Sequence, residues 1–273
     1  MTRIDVQHTE PRADDLLIDV KDGIAWLRLN RPEVLNALSA GHFRQLTDAM
    51  HEVGWRKDVG VVVLTGAGSV FCAGGDVRTI DKDTLVEIGN FALQALLSIV
   101  RCPKPVVAMV NGDAIGGGNE LVIASDFAIA ARSARLGQGG TKLGWAPVLG
   151  GTNFLAMSIG DKRAKAITYL SRIVSATTAE EWGWVNETVD DDELEAATLR
   201  WCDEILARAP EGLHLAKVTA NHWWDVCYPS ISNGLSMIHM GVSEDAIVEG
   251  TSAFLERRRP DWSKWRGAGS GLR

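Results

Sequence analysis

Residues 16–20 and 24–29 form two apolar runs, the second reading Ile-Ala-Trp-Leu-Arg-Leu, and Lys21-Asp22-Gly23 between them predicts a hairpin turn. Asn30-Arg31-Pro32 closes the second strand. Ser39 is placed to cap a helix whose apolar positions Phe43, Leu46, Met50 and Val53 follow a 3.6-residue period. Residues 61–65 (Val-Val-Val-Leu-Thr) are nearly continuous in apolar character, the pattern of a strand buried on both faces. A long helix is predicted over residues 81–100, with Leu85, Ile88, Leu93, Leu96 and Leu97 inward, and Pro103 and Pro105 stop it. Residues 105–110 and 127–130 read as further strands. This alternation of strand, helix and strand predicts an α/β sheet with crossover helices.

Beyond Gly151 the pattern turns helical. Helices are predicted over 152–159, 162–171, 178–184 and 194–209, separated by Gly160, the β-type pair Ile173-Val174 and a strand at 185–189. The acidic run at 190–193 reads as a helix start without catalytic meaning. Two further helices are expected at 211–224 and 230–257. No internal repeat or low-complexity linker interrupts the chain.

Two strand-then-glycine segments carry the candidate chemistry. After the 105–110 strand comes Asn-Gly-Asp-Ala-Ile-Gly-Gly-Gly-Asn-Glu, ending at Glu120 and followed by the apolar start of a buried helix. Glycines at such a turn let the backbone approach a ligand, and the first N–H groups of the helix lack intrahelical partners. Glu120 then faces the same ligand, or is only a first-turn acid favoured by the helix dipole. About forty residues earlier, Phe71-Cys72-Ala73-Gly74-Gly75-Asp76 follows the 61–65 strand. Two loops of this kind can each offer one N–H to a single oxygen, which is the architecture of an oxyanion hole.

Composition narrows the class. At 273 residues, 46% hydrophobic and 23% charged, the chain is an ordinary globular protein with a substantial core. A net charge of −7 argues against nucleic acid as a partner, and an anionic ligand would need a local basic patch. No stretch of about eighteen apolar residues stands out as a membrane span. The polar N-terminal segment has no signal-peptide core and is expected to be a loose tail over residues 1–14. Cys72, Cys102, Cys202 and Cys227 show no metal-ligand spacing, which predicts free thiols, no metal site and a cytoplasmic compartment. The histidines, among them His42, His51, His214, His222 and His239, show no triad spacing with Ser or Cys, and His214 and His222 are expected to share a helix face.

Both glycine loops, in this order, resemble the crotonase (enoyl-CoA hydratase/isomerase) superfamily. The resemblance extends to Asn30-Arg31-Pro32 and Asn36-Ala37-Leu38 upstream and to Ile159-Gly160 and Ala164 downstream, covering roughly residues 15–265. It implies a ββα spiral core over residues 15–195, carrying the CoA site and oxyanion hole. It implies a C-terminal helical region over 196–273 for pocket closure and assembly as a homotrimer or homohexamer. It also implies an acyl-CoA thioester whose oxygen lies between the N–H groups of Gly75 and Gly117. Ala73, Gly74, Asp76 and Val77, with Asp113, Ala114, Ile115 and Gly116, would line the CoA-side wall. No cofactor is implied beyond the CoA of the substrate itself.

Hydratases of the superfamily use two glutamates. Glu120 matches one of them. The other falls on Gly140, within Leu136-Gly137-Gln138-Gly139-Gly140. One carboxylate would leave concerted water addition with half its acid–base machinery. The stretch from Gly137 to Ala146 and the tail from Glu249 are more similar to dihydroxynaphthoyl-CoA synthase and 2-ketocyclohexanecarboxyl-CoA hydrolase. In bicarbonate-using synthases of that branch a Gln-x-Gly leaves room for bicarbonate as the base, and Gln138 and Gly140 match it. That branch's Ser, Asp and Tyr, however, fall on Trp145, Pro147 and Val242, and it lacks a glutamate at position 120.

Trp145 is expected to narrow the acyl pocket and make it apolar, while most of the ten tryptophans serve packing. Arg257 matches a basic residue offered to CoA phosphates, often of a neighbouring subunit, and Arg31 is a possible substitute for a lost contact at Leu35. Three functions follow. The first is an acyl-CoA hydratase/dehydratase or isomerase-type lyase using Glu120. The second makes or breaks a C–C bond in a cyclic acyl-CoA. The third is a silent acyl-CoA binder.

Overall fold

The computed structural model describes residues 11–266. Most of the expected tail at 1–14 lies outside them. Of the remainder, Ala13–Asp15 is a 3-10 turn in which the Arg12 N–H and guanidinium both donate to Asp15.

The predicted hairpin forms from β1 (Leu16–Lys21) and β2 (Ile24–Leu29), with Asp22 and Gly23 at φ of 53° and 82°. Helix α1 (Ala40–Trp55) then crosses to β3 (Val61–Gly66), which β4 (Val70–Cys72) follows at once. Helix α2 (Lys82–Val100) leads to β5 (Val106–Val110) and β6 (Asp113–Ile115). Helix α3 (Gly117–Ala124) leads to β7 (Phe127–Ala131) and β8 (Arg135–Gly137). Next come α4 (Gly140–Leu143), α5 (Leu155–Ile159), α6 (Asp161–Leu170), β9 (Ile173–Ser175), α7 (Ala176–Glu181) and β10 (Glu187–Val189). The chain closes with α8 (Leu194–Leu206), α9 (Pro210–Ala220), α10 (His222–Gly241), α11 (Glu244–Leu255) and α12 (Ser263–Arg266).

From β3 to β8 the strands come in pairs that part company. The first of each, β3, β5 and β7, joins β1, β2 and β10 in a six-stranded sheet in the order β1-β2-β3-β5-β7-β10, parallel except for β1 with β2. The second of each joins β9 in a four-stranded sheet, β4-β6-β8-β9, in which only β8 and β9 run antiparallel. With a helix after each pair, this is the expected ββα spiral. β3 and β5 are buried at every position, which is why their sequences run apolar without alternation. β4, β6 and β8 are three residues each, too short to carry a period, and the apolar pattern does not reveal them.

Asn36 fixes the turn between β3 and β4. Its Nδ2 donates to the carbonyls of Ala67, Val70 and Phe71 at 3.0, 2.7 and 3.2 Å, and its Oδ1 accepts from the Arg31 N–H at 2.9 Å. The residue sits at a φ of 55°, a conformation asparagine tolerates better than most. Asn36→Ala is expected to cost about 3 kcal/mol, because buried carbonyls lose their donor. Urea unfolding followed by circular dichroism would measure it; a loss below 1 kcal/mol would contradict this account.

Helix α2 qualifies by length and composition as a membrane span, a point the apolar pattern did not bring out; 56% of that stretch is buried, and it packs on α1, α3 and α10. The C-terminal helices also differ from expectation. Helices are expected at 211–224 and 230–257, with Pro229 between them; instead α10 (His222–Gly241) runs through Pro229. Pro229 removes one backbone donor, but Trp224 and Ile231 on the same helix are buried, and Trp224 stacks on Phe154 at 3.6 Å. Packing outweighs the proline. The actual break precedes α11, where Ser243 caps the helix by accepting from the Ala246 N–H. His214 and His222 consequently lie on different helices. The boundary drawn at residue 196 falls inside α8, which lies on the large sheet against β5 and β7.

Helix α9 is pinned to the core by a buried ion pair. Lys217 Nζ lies 2.6 Å from Asp126 Oδ2 and donates to the carbonyls of Ile99 and Lys104 at 2.9 and 3.0 Å. Asp126 also accepts from the Val106 N–H at 2.7 Å, so one carboxylate ties α9 to the start of β5.

Candidate active site

Two loops meet where β4 and β6 end. The first is held against Leu35 and Leu38: the Ala73 N–H donates to Leu35 O, the Leu38 N–H to Gly74 O, and the Asp76 N–H to Leu38 O, at 3.0, 2.8 and 3.1 Å. These bonds leave the Gly75 N–H out. The second loop turns at Gly116, whose φ of 56° and ψ of −120° suit only glycine, and whose N–H donates to Gly137 O at 3.0 Å. Gly117 then opens α3, where its N–H has no intrahelical acceptor.

Close backbone packing brings the loops together. A Cβ on Gly118 would lie 2.1 Å from Cys72 O, so the first turn of α3 rests directly on β4. A Cβ on Gly74 would lie 2.9 Å from Gly117 N, and one on Gly117 would lie 3.7 Å from Gly75 N. The two free N–H groups are thus near neighbours, and the third residue after Gly117 is Glu120. The Cys72 thiol supports this junction: it donates to Asn36 O and accepts from the Gly74 N–H, and burial pushes its pKa up to about 12. It is not a nucleophile.

Glu120 is buried, 6% exposed, inside the first turn of α3. Burial raises its pKa to about 8, an effect that the backbone N–H groups of Leu149 and Gly151 partly offset. A carboxyl with a pKa near neutrality can both take and return a proton. Leu149 and Gly151 lie about thirty residues downstream in an aperiodic stretch, and nothing in the sequence pattern signals their approach.

The segment after β8 closes the other side. A Cβ on Gly140 would meet the Trp145 ring, Trp145 O and Pro147 N at 3.2 to 3.3 Å. In the direction of its missing side chain, Gly140 therefore packs against Trp145 and the backbone after it. Trp145 is half-buried among Ile80, Val148 and Val242 over the buried trio Leu85, Ile238 and Ile247. Ile80 in turn stands 3.5 Å from where a Gly75 Cβ would be. An apolar cluster that includes Ile80 and Trp145 thus adjoins the first loop. Gln138 is buried at 1% exposure, and its amide finds no partner among the described residues.

Other expected residues divide. Ala73, Gly74 and Val77 flank Gly75 on the loop, and Gly116 and Ile115 flank Gly117, as required for a wall beside the N–H pair. Ala114 is fully buried within β6, which corrects its expected place on that wall. Asp113 is held by Arg135 through two hydrogen bonds. Asp76 is buried; burial alone would raise its pKa, but the paired Arg78 guanidinium holds it below the usual carboxylate range.

Arg31 also departs from expectation. It is 4% exposed, donates to Ala37 O at 2.6 Å and lies 3.8 Å from Asp15, so its guanidinium serves the fold rather than a CoA phosphate. Arg257 ends α11 exposed, at a φ of 54°.

A second cluster overturns the absence of a triad-like arrangement. Ser39 Oγ lies 2.7 Å from His42 Nδ1, and His42 Nε2 lies 3.0 Å from Asp15 Oδ2. All three residues are buried. Burial lowers the His42 pKa, despite Asp15. For Asp15, burial opposes ionisation, but hydrogen bonds from the Arg12 backbone, His42 and the Arg12 side chain prevail and lower its pKa. Ser39 begins α1 and Leu38 bonds the Gly74–Asp76 loop, so this cluster braces the loop from behind.

A family model described as enoyl-CoA hydratase/isomerase matches residues 19–265. The chain belongs to the enoyl-CoA hydratase/isomerase family. Solved structures share its fold. An enoyl-CoA hydratase from Mycobacterium avium subsp. paratuberculosis K-10 is 27% identical, over 91% of this chain and 98% of its own, with a TM-score of 0.84. A carnitinyl-CoA hydratase from Mycobacterium avium is 27% identical over 93% and 100%, with a TM-score of 0.83. An enoyl-CoA hydratase from Bacillus anthracis is 32% identical over 91% and 98%, with a TM-score of 0.74. Family membership identifies an acyl-CoA-acting enzyme of the crotonase fold, and its small-molecule substrate carries the CoA thioester.

Proposed function

We propose that the chain is an acyl-CoA hydratase/dehydratase or isomerase-type lyase. In this reading the Gly75 and Gly117 N–H groups hold the thioester oxygen and Glu120 moves the proton. The observation that carries it is the buried Glu120 carboxyl, with a pKa of about 8, one helical turn from that N–H pair.

For hydration, a water oxygen bonds to Cβ of a 2-enoyl thioester while one water proton passes to the Glu120 carboxylate. The C=C electron pair moves to form an enolate, with its charge on the thioester oxygen between the two N–H groups. Each such donor is typically worth on the order of 3 kcal/mol of barrier. Glu120 then returns its proton to Cα and the thioester carbonyl re-forms. One carboxyl suffices for both transfers because it is regenerated within the cycle. Isomerisation uses the same device, taking a proton from one carbon and returning it to another.

Incubation of the purified protein with crotonyl-CoA, and separately with a cyclic 2-oxoacyl-CoA, tests the reading by product mass. The expected result is gain of one water by crotonyl-CoA. Gain of water by the cyclic ester alone, with ring opening, would instead establish C–C hydrolysis, the chemistry to which the tail is similar. Binding without turnover of either would mark a silent binder.

Assembly as a homotrimer or homohexamer belongs to the same proposal. Leu215, Val218, Trp223, Met237, Met240 and Phe254 of α9 to α11 are more than half exposed, an apolar face suited to a second copy of the chain. Arg257, exposed just past α11, is the residue that the family resemblance offers to the CoA phosphates of such a neighbour.

A further inference from the structure

Gln138 has no structural employment. Its side chain is 1% exposed, and neither Nε2 nor Oε1 has a hydrogen-bond partner among the described residues. An amide buried with donor and acceptor both unpaired is costly, so such a group is retained where something binds it.

Its position identifies what that is. A Cβ on Gly151 would lie 2.9 Å from Gln138 Nε2, so the amide abuts Gly151. The Gly151 N–H is one of the two that steady the Glu120 carboxyl. Gln138 and Glu120 therefore converge on one residue from different segments, the turn after β8 and the first turn of α3. Residue 140 is a glycine packed against Trp145 and the Pro147 nitrogen, so this chain supplies no carboxylate at that position. The adjoining wall of Ile80, Trp145 and Val148 is apolar. Among the described residues, the unpartnered buried side chains next to Glu120 in sequence or at Gly151 are neutral amides, Asn119 and Gln138, and it is Gln138 that abuts Gly151.

We propose that Gln138 binds the reacting oxygen of the substrate pair, the water to be added or the hydroxyl to be lost, donating through Nε2–H and accepting through Oε1. This deepens the lyase reading and rests on it. The hydroxyl oxygen then sits between Gln138 and Glu120, and the amide does for orientation what a second carboxylate does elsewhere, without taking part in proton transfer. A neutral hydroxylic group suits this pair. An anion such as bicarbonate does not, because it would face Glu120 with only a neutral amide to hold it.

The test uses binding, which is read independently of turnover. Glu120→Gln protein, which cannot dehydrate the ligand, is titrated calorimetrically with 3-hydroxybutyryl-CoA and with butyryl-CoA. The hydroxy ester is expected to bind about tenfold more tightly, the worth of a satisfied buried hydrogen bond. Adding Gln138→Met, of similar length and without the amide, should equalise the two ligands and leave butyryl-CoA affinity within about twofold. Gln138→Leu serves if the methionine variant fails to fold.

In the otherwise wild-type enzyme, Gln138→Met should lower kcat for crotonyl-CoA about tenfold or more, with KM changed less than about twofold. A packing defect would instead lower the melting temperature without that split. A hydroxyl preference absent from the parent, or persisting after Gln138→Met, overturns the inference while crotonyl-CoA turnover keeps the lyase reading intact. Stimulation of turnover by millimolar bicarbonate also overturns it. Failure of either ester to bind at all would remove the acyl-CoA reading and this inference together.

Discussion

Glu120→Gln lowers kcat for crotonyl-CoA hydration by about 10²–10⁴-fold, the usual worth of a positioned acid–base group, and makes the protein more stable. Both effects come from the same burial. The folded-state pKa of about 8 lies above the ordinary 4.5, so the native carboxyl prefers its proton. Stability from this group is fully present below about pH 4.5, declines as pH rises, and is lost once pH passes about 8. At the upper limit the cost is roughly 5 kcal/mol. Glutamine is neutral at every pH and escapes it. The melting temperature of Glu120→Gln should therefore match wild type near pH 4.5 and exceed it by several degrees near pH 9. A melting-temperature difference that does not change with pH would refute the raised pKa. The rates carry the same sign: hydration, which needs the carboxylate, rises through about pH 8. Dehydration reverses the cycle and begins with the same carboxylate taking the Cα proton, so it rises through about pH 8 as well.

Lys217→Met is expected to cost 3–5 kcal/mol, roughly 10 °C in melting temperature, although it lies outside the site. The substitution leaves Asp126 buried without its counter-ion, and the carbonyls of Ile99 and Lys104 without their shared donor. Burial already raises the Asp126 pKa despite Lys217, so the lone carboxyl would take up a proton rather than stay charged. The double variant Lys217→Met, Asp126→Asn should recover part of the loss, since it removes both charges together. A thermal melt of the two proteins distinguishes this from simple loss of packing, in which the second substitution would add to the damage.

Much of this fold is legible in the chain because its central strands are buried on both faces. Val61–Gly66 and Val106–Val110 must be apolar throughout, and helices between them can only be crossovers. The glycine loops are legible for a related reason. Gly116 needs its conformation, and Gly118 must touch Cys72 O, so no side chain can replace either. Residue type and spacing thus predicted an α/β sheet with crossover helices and two glycine loops, one of them leading to Glu120, and the family resemblance added the spiral.

What distance in sequence separates, only the tertiary structure could join. Burial raises the Glu120 pKa, and the backbone N–H groups that partly offset it come from Leu149 and Gly151, about thirty residues away. The same chain brings Trp145 onto Gly140 and Gly151 against Gln138. Arg31 carries a charge that suggests a phosphate contact, yet it is buried beside Asp15 and His42. Pro229 carries a helix-breaking signal, yet buried Ile231 and the Trp224–Phe154 stack hold the helix through it. In each case a residue's role depends on which groups exclude water from it, and that is a property of packing between segments that no local pattern encodes.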